Sequence, residues 1–257
     1  MKSRYFSVYE LKLWARGALR GNLLVVLYSL VLPAILSAVL AAFIAYAAPG
    51  VRDTLSIVTH GHFDSAEEQL NAFYDAITVL GWIMLISNAL LAFLTVGQKM
   101  TLIKAASSKK PDYKTLFSFF STWFSALIAA LIISAVGNAI GQAALMLPSY
   151  GEFADSLINL LVNIITLFLS LKFYFVFYIM AENGGKRPFY ALLQSWRMTG
   201  IKTCANIIVL ELSFIGWYLL AFCTMGITLI YSVPYQLLAQ SELYKRVRKN
   251  YELQKLS

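Results

Sequence analysis

The chain has 257 residues, 59% of them hydrophobic and 13% charged, against about 25% charged in an average soluble domain. Its apolar residues come in long uncharged blocks. About 18 or more such residues suffice to cross a hydrocarbon core about 30 Å thick, so composition excludes a soluble globular fold and points to an all-α, polytopic membrane protein. The net charge of +8 comes from basic residues scattered over several segments, with no nucleic-acid-binding motif around them; it reads as topology and attraction to anionic lipid, and no nucleic-acid partner is expected.

The chain reads as a single integral membrane domain, residues 1–257, with six transmembrane helices near 22–47, 77–97, 121–147, 156–180, 204–223 and 226–243. The first apolar run, Asn22 to Ala48, is too long for the h-region of a cleavable signal, which is about 7–15 residues. It is expected to remain as the first span. Before it, "SVYE" forms a capping box, with Ser7 as N-cap and Glu10 reaching back. Lys12, Arg16 and Arg20 follow at i, i+4, i+8 on one stripe, and Leu11, Trp14 and Ala18 make another face. This predicts an interfacial amphipathic helix ending at Gly21. The outer loop 48–76 carries "THGHFDSAEEQ". His60 and His62 with Asp64, Glu67 and Glu68 have the chemistry of a divalent-metal site, but the spacing is loose and a solvated loop is the reading preferred; no metal is expected.

A weaker amphipathic unit, "DYKTLFSFFSTWF", precedes span three. That span contains Gly137 and Gly141, with Ala126, Ala130 and Ser134 above them, a small-residue pattern of helix packing within or between chains. In span four, Asn159 and Asn163 share a face, as interhelical hydrogen-bonding groups or as the lining of a polar path. A clearer amphipathic helix follows in "RPFYALLQSWRMTG", with Pro188 at its start, Gly200 at its end, and Trp196 and Arg197 at the interface. Three repeats of amphipathic helix plus helix pair are therefore expected. Cys204 and Cys223 sit about 28 Å apart along span five, too far to pair. A tight "CTMGI" turn joins spans five and six, and Pro234 interrupts the half-polar sixth.

Charge sets the orientation. Segments 1–21, 98–120, 181–203 and 244–257 hold 19 of the 21 Lys and Arg, whereas the opposite loops hold only Arg52 and seven acids. Basic loops stay cytoplasmic, so both termini are expected on the cytoplasmic side of the membrane. Two charges remain within spans. Lys172 and Glu211 fall about 15 and 12 Å from the inner ends of consecutive antiparallel spans, which predicts an ion pair. The alternatives are snorkelling of Lys172, and bonding of Glu211 to Ser213, Tyr218 or a polar group on span six.

No His or Asp lies in any span, and no G-x-S-x-G, H-E-x-x-H or P-loop occurs, so neither an enzyme nor a cofactor is expected. "SWRMTG", "LELSFIGWYLL", "MGI", "SVPY" and "ELYKRV" resemble the C-terminal half of the domain of unknown function 975 family. "ELKLWARGALRGN" and "VGQKMTLIKAA" resemble earlier parts of it. The likeness is most specific at Ser213, Phe214, Ile215, Gly216 and Trp217 and at Pro234 and Tyr235, and Lys172 stands outside the family pattern. The resemblance implies a multi-pass membrane protein of a kind found mostly in Firmicutes, and no defined activity. The expected function is a non-catalytic accessory or envelope-homeostasis component, beside an exporter or in tolerance to membrane-active peptides. Its expected partners are the lipid bilayer and a second copy or another membrane protein. The rival is a small-solute or ion transporter using the polar intramembrane residues.

Overall fold

The structure, a computed structural model, describes residues 7–47, 56, 65–107, 111–145 and 152–256; His60, His62 and Asp64 lie outside the described residues. Among the described residues the fold is helical throughout, without strands. The first helix, α1, is Val8–Ala47 and runs unbroken through Gly21, so the expected amphipathic helix and first span are one element. The reason is a single buried stripe, Leu11, Ala15, Leu19, Val26 and Ser29, that continues across the glycine. An interior glycine costs about 1 kcal/mol relative to alanine, which is less than one fully buried leucine returns.

Helix α2, Ala66–Leu90, begins inside what reads as the outer loop, because Ser65 caps it by accepting the Glu68 amide at 3.1 Å. A turn at Leu91, where the Leu94 amide bonds the Leu91 carbonyl, separates it from α3, Ala92–Ala106. The expected span 77–97 therefore straddles a break. The "DYKTLFSFFSTWF" segment is not an amphipathic α-helix. It forms 3-10 turns at Tyr113–Phe117 and Phe120–Thr122. The Ser118 and Thr122 hydroxyls there donate to the Thr115 and Phe119 carbonyls, local bonds that compete with α-helical ones. Gly97 fixes this segment in place: an added Cβ would lie 2.0 Å from the Leu116 carbonyl oxygen.

Helix α4 is Trp123–Leu145 and α5 is Glu152–Lys172. A short turn leads to α6, Val176–Glu182, and α7, Pro188–Met198, follows. Pro188 opens α7 as expected, after Arg187 in the left-handed region (φ 62°), but Gly200, at φ −74°, caps the next helix instead of terminating this one. Of the three expected amphipathic units only this one is a separate helix, so the repeat is not visible in local structure. Helices α8, Ile201–Leu212, and α9, Ile215–Cys223, are divided at Ser213–Phe214. The "CTMGI" turn closes with Met225 and Gly226 at positive φ (48° and 87°), which the glycine accommodates at no steric cost.

The last helix, α10, is Leu229–Leu256 and runs antiparallel to α8–α9. As the chain advances from Glu211 through Phe214 to Trp217, the partners retreat from Gln240 through Tyr235 to Tyr231. Among the described residues five helical stretches are long and apolar enough to cross a membrane: Val8–Ala47, Glu67–Leu90, Tyr113–Gly137, Asp155–Glu182 and Ile201–Cys223. The expected sixth span is not one of them. It lies in α10, whose Ser232, Gln236, Gln240, Ser241 and Glu242 are buried against α1, α3, α8 and α9. Protein neighbours shield these polar groups, so the helix need not be apolar. Leu24, Val31, Ile35 and Val39 of α1 and Leu160, Leu161 and Ile164 of α5 are exposed instead, as lipid-facing residues are.

At one end of the bundle the charges gather. Arg246 bonds Glu10 of α1 and Glu242 of its own helix, both at 3.0 Å. Lys245 donates to the Ala106 carbonyl at the end of α3 (2.7 Å), and Arg248 and the Tyr244 hydroxyl both reach Glu182 at the end of α6. Cations on terminal carbonyls complement the negative end of a helix. The start of α1 and the ends of α3, α6 and α10 thus share one end, and the described parts of the basic segments, 7–21, 98–107, 111–120, 181–203 and 244–256, belong to or flank those helix ends.

Candidate functional site

Besides the turn at Leu91, continuous apolar sequence among the described residues conceals two further helix breaks, and both organise polar groups. At the α5–α6 break the Val176 amide bonds Phe173, which leaves the Lys172 carbonyl without its usual donor; the buried Ser195 hydroxyl of α7 supplies one at 2.7 Å. At the α8–α9 break the Trp217 amide bonds Phe214, freeing the Ser213 carbonyl, and the Lys12 ammonium takes it at 2.6 Å while lying over the Phe214 ring. Backbone groups freed inside a membrane protein must find such partners. Lys12 therefore turns into the bundle, whereas Arg16 and Arg20 stay exposed and Trp14 lies half-buried below the Lys245 ammonium.

Glu211 stands in the last turn of α8, beside the second break. Its carboxylate receives three donors. The Tyr174 hydroxyl (2.6 Å) and Gln240 Nε2 (2.8 Å) reach Oε1, and Gln236 Nε2 reaches Oε2. The Glu211 carboxylate, which can only accept, fixes the direction of the Gln236 amide, and the Tyr218 hydroxyl donates to Gln236 Oε1 on its other side. An ionised carboxylate has acceptors only, so three donors, one from the α5–α6 turn and two from α10, suit it. Gln236 and Gln240 are one helical turn apart on α10 and hold it there from one face.

The expected Lys172–Glu211 ion pair does not form. Lys172 is the last residue of α5, not a mid-helix group: its ammonium donates to the Thr199 carbonyl at 2.6 Å and lies over the Phe168 and Trp196 rings. The 21 residues of α5 alone make about 31 Å, enough to cross the hydrocarbon core, so Lys172 belongs at its end. The cation nearest in kind to a partner for Glu211 is Lys99 of α3, beyond the second expected span. Its ammonium sits 4.7 Å from the centre of the Tyr178 ring. Burial pushes it down to about 8, and the Glu211 carboxylate opposes that shift. The Tyr178 hydroxyl is buried without a hydrogen-bond partner, and its ring stacks on Tyr244 at 5.0 Å.

The family-like residues frame this cluster. Ser213 and Phe214 are the α8–α9 break. Phe214 packs edge-on against Tyr235, and Trp217 against Tyr231 and Tyr235. Pro234 is buried within α10, Ile215 points outward, and a Cβ on Gly216 would meet nothing within 4 Å. Other sequence candidates do not converge here. Asn88 bonds Ser37 of α1 at 3.2 Å, an interhelical contact of the expected kind, whereas Asn159 and Asn163 are exposed on α5. A Cβ on Gly137 would also meet nothing within 4 Å, so no described helix packs closely there; the surroundings of Gly141 lie outside the described residues. Trp196 and Arg197 are exposed on α7. Among the described residues no group of three His, Cys, Asp or Glu is placed to hold a metal ion.

Tyr174, Tyr218, Gln236 and Gln240 are the residues that carry the cluster. A sequence signal existed for the last two: paired amides one turn apart in the half-polar "QLLAQSELY". Residues 152–251 match the model of the family described as Protein of unknown function (DUF975), and this stretch contains Tyr174, Glu211, Tyr218, Gln236 and Gln240. No curated protein and no solved structure matches the chain.

Proposed function

We propose, on the premise that residues 152–251 belong to that family of unknown function, that the chain is a non-catalytic, multi-pass component of the bacterial cell membrane, with both termini cytoplasmic. Its role is that of an accessory or envelope-homeostasis protein, associated with an exporter or with tolerance to membrane-active peptides. One observation carries the non-catalytic reading: three of the roughly four acceptor sites of Glu211 are taken by donors from its own chain. A carboxylate so occupied clasps α8, α10 and the α5–α6 turn together and leaves little capacity for a substrate. Affinity purification from native membranes tests this reading. A specific co-purifying envelope protein supports it, and purification of the chain without one, together with solute flux by the pure protein, refutes it.

The convergence of Tyr174, Tyr178, Gln236, Gln240 and Lys99 on one intramembrane acid favours a second reading, a small-solute or ion transporter. Proteoliposome flux that is abolished in Glu211→Gln, with the fold intact, would select it.

A further inference from the structure

We propose that one face of α5 is the interface through which two copies of this chain associate in the membrane. The face consists of Ser156, Asn159, Asn163, Thr166 and Ser170. Their spacing is 3, 4, 3, 4, the a/d seam of a left-handed helix pair. Ser156, Asn159, Asn163 and Ser170 are exposed, and Thr166 is half-buried. Leu160 and Leu167, at the adjoining seam positions, are also exposed, each at 55%. The Ser170 hydroxyl turns back to the Leu167 carbonyl at 2.7 Å, as a serine does when its helix interior offers nothing else. The Asn159 and Asn163 side-chain amides make no hydrogen bond among the described residues. They lie in the middle of a helix of 21 residues whose described exposed side chains off this face, among them Leu157, Leu161, Ile164, Ile165 and Phe168, are apolar.

Hydrocarbon cannot serve an amide that has two donors and an acceptor unused, so a protein partner is required. The chemistry of the face selects that partner. An asparagine amide is its own complement, donating with nitrogen and accepting with oxygen, and two equal seams can pair amide to amide about a two-fold axis. A single-sign charged partner or an apolar helix would leave half of these groups unmet. The seam also lies clear of the Glu211 cluster, so association would not disturb the clasp and does not depend on the functional reading above.

Disulfide trapping tests the proposal in the full-length chain with Cys204→Ser and Cys223→Ser. Cysteine placed by Asn159→Cys or Asn163→Cys should give a homodimer on oxidation of native membranes, and cysteine placed by Leu161→Cys or Phe168→Cys, on another part of the same helix, should not. In the otherwise native chain, Asn159→Leu with Asn163→Leu should raise the dimer dissociation constant in detergent about tenfold, as expected from losing a few interhelical bonds each of modest strength. Unchanged insertion and thermal stability of that variant separate loss of association from loss of fold. Equal trapping at all four positions, an unchanged dimer constant, trapping to a different protein, or ready labelling of both seam positions by an impermeant maleimide would each overturn the proposal, the last by showing a water-lined path instead.

Discussion

Replacing Glu211 by Gln probes the clasp at its centre. The amide oxygen can occupy the place of Oε1 and keep the Tyr174 and Gln240 donors. Its nitrogen then faces Gln236 Nε2, a donor against a donor. Gln236 can relieve this only by turning over, with the Tyr218 hydroxyl reversing from donor to its oxygen to acceptor from its nitrogen. All three bonds to a charged acceptor then weaken toward neutral strength, each by about 1 kcal/mol. Removing a charge from the membrane interior offsets part of this, so a net destabilisation of about 2 kcal/mol is expected. The exchange Glu211→Gln with Gln236→Glu restores every bond. The amide at 211 then donates to the carboxylate at 236, which also receives Tyr218, while its oxygen keeps Tyr174 and Gln240. Equilibrium unfolding in mixed detergent should therefore place the exchange within about 1 kcal/mol of the native chain, with a favourable coupling energy in the double-mutant cycle. A neutral single variant, or an exchange variant as unstable as the summed singles, would refute this arrangement of donors.

Three further outcomes follow from the same geometry. In a second cycle, Lys172→Met should add to Glu211→Gln without coupling, since Lys172 bonds the Thr199 carbonyl; a coupling above about 1 kcal/mol would restore the ion pair. Gly97→Ala should lower the unfolding midpoint by an amount matching about 1–3 kcal/mol of overpacking against Leu116, and Gly216→Ala, with open space around it, should not. Lys99→Met should stabilise the fold at pH 7. With burial holding the Lys99 ammonium down at about 8 against an ordinary 10.5, the native chain bears the cost of the charge below that value and sheds it as the pH rises toward 10.5. The advantage of the methionine should shrink over that interval, and a pH-independent difference would show that packing, not charge, is responsible.

The helical, membrane-spanning character was legible because blocks of apolar sequence leave few alternatives, and the outer turn was legible in "CTMGI". Pro188 marked α7 for the same reason: its ring fixes φ and its missing N–H costs nothing at a helix start. The breaks at Phe173–Phe175 and Ser213–Phe214 were not, since an apolar run reads as one helix whether or not it turns. That hidden break at Phe173–Phe175 displaced Lys172 in the sequence reading from a helix end to mid-span and produced a false partner for Glu211. Gly21 misled in the opposite sense: a glycine permits a helix end, but the buried stripe from Leu11 to Ser29 decides that the helix continues. Gly97 carried no signal, because closeness to Leu116 is a tertiary fact. The polarity of α10 was visible and ambiguous, as lipid exposure and burial among other helices assign it opposite meanings.

The central claim is that α10, though polar, returns the chain across the membrane inside the bundle. Labelling with an impermeant maleimide measures this directly, in the chain with Cys204→Ser and Cys223→Ser. Met225→Cys, at the 96% exposed tip of the turn between α9 and α10, should react in intact cells. Lys255→Cys, in the last turn of α10, should react only after permeabilisation. Equal reactivity of the two from the same side would mean that α10 does not cross, and would contradict the account.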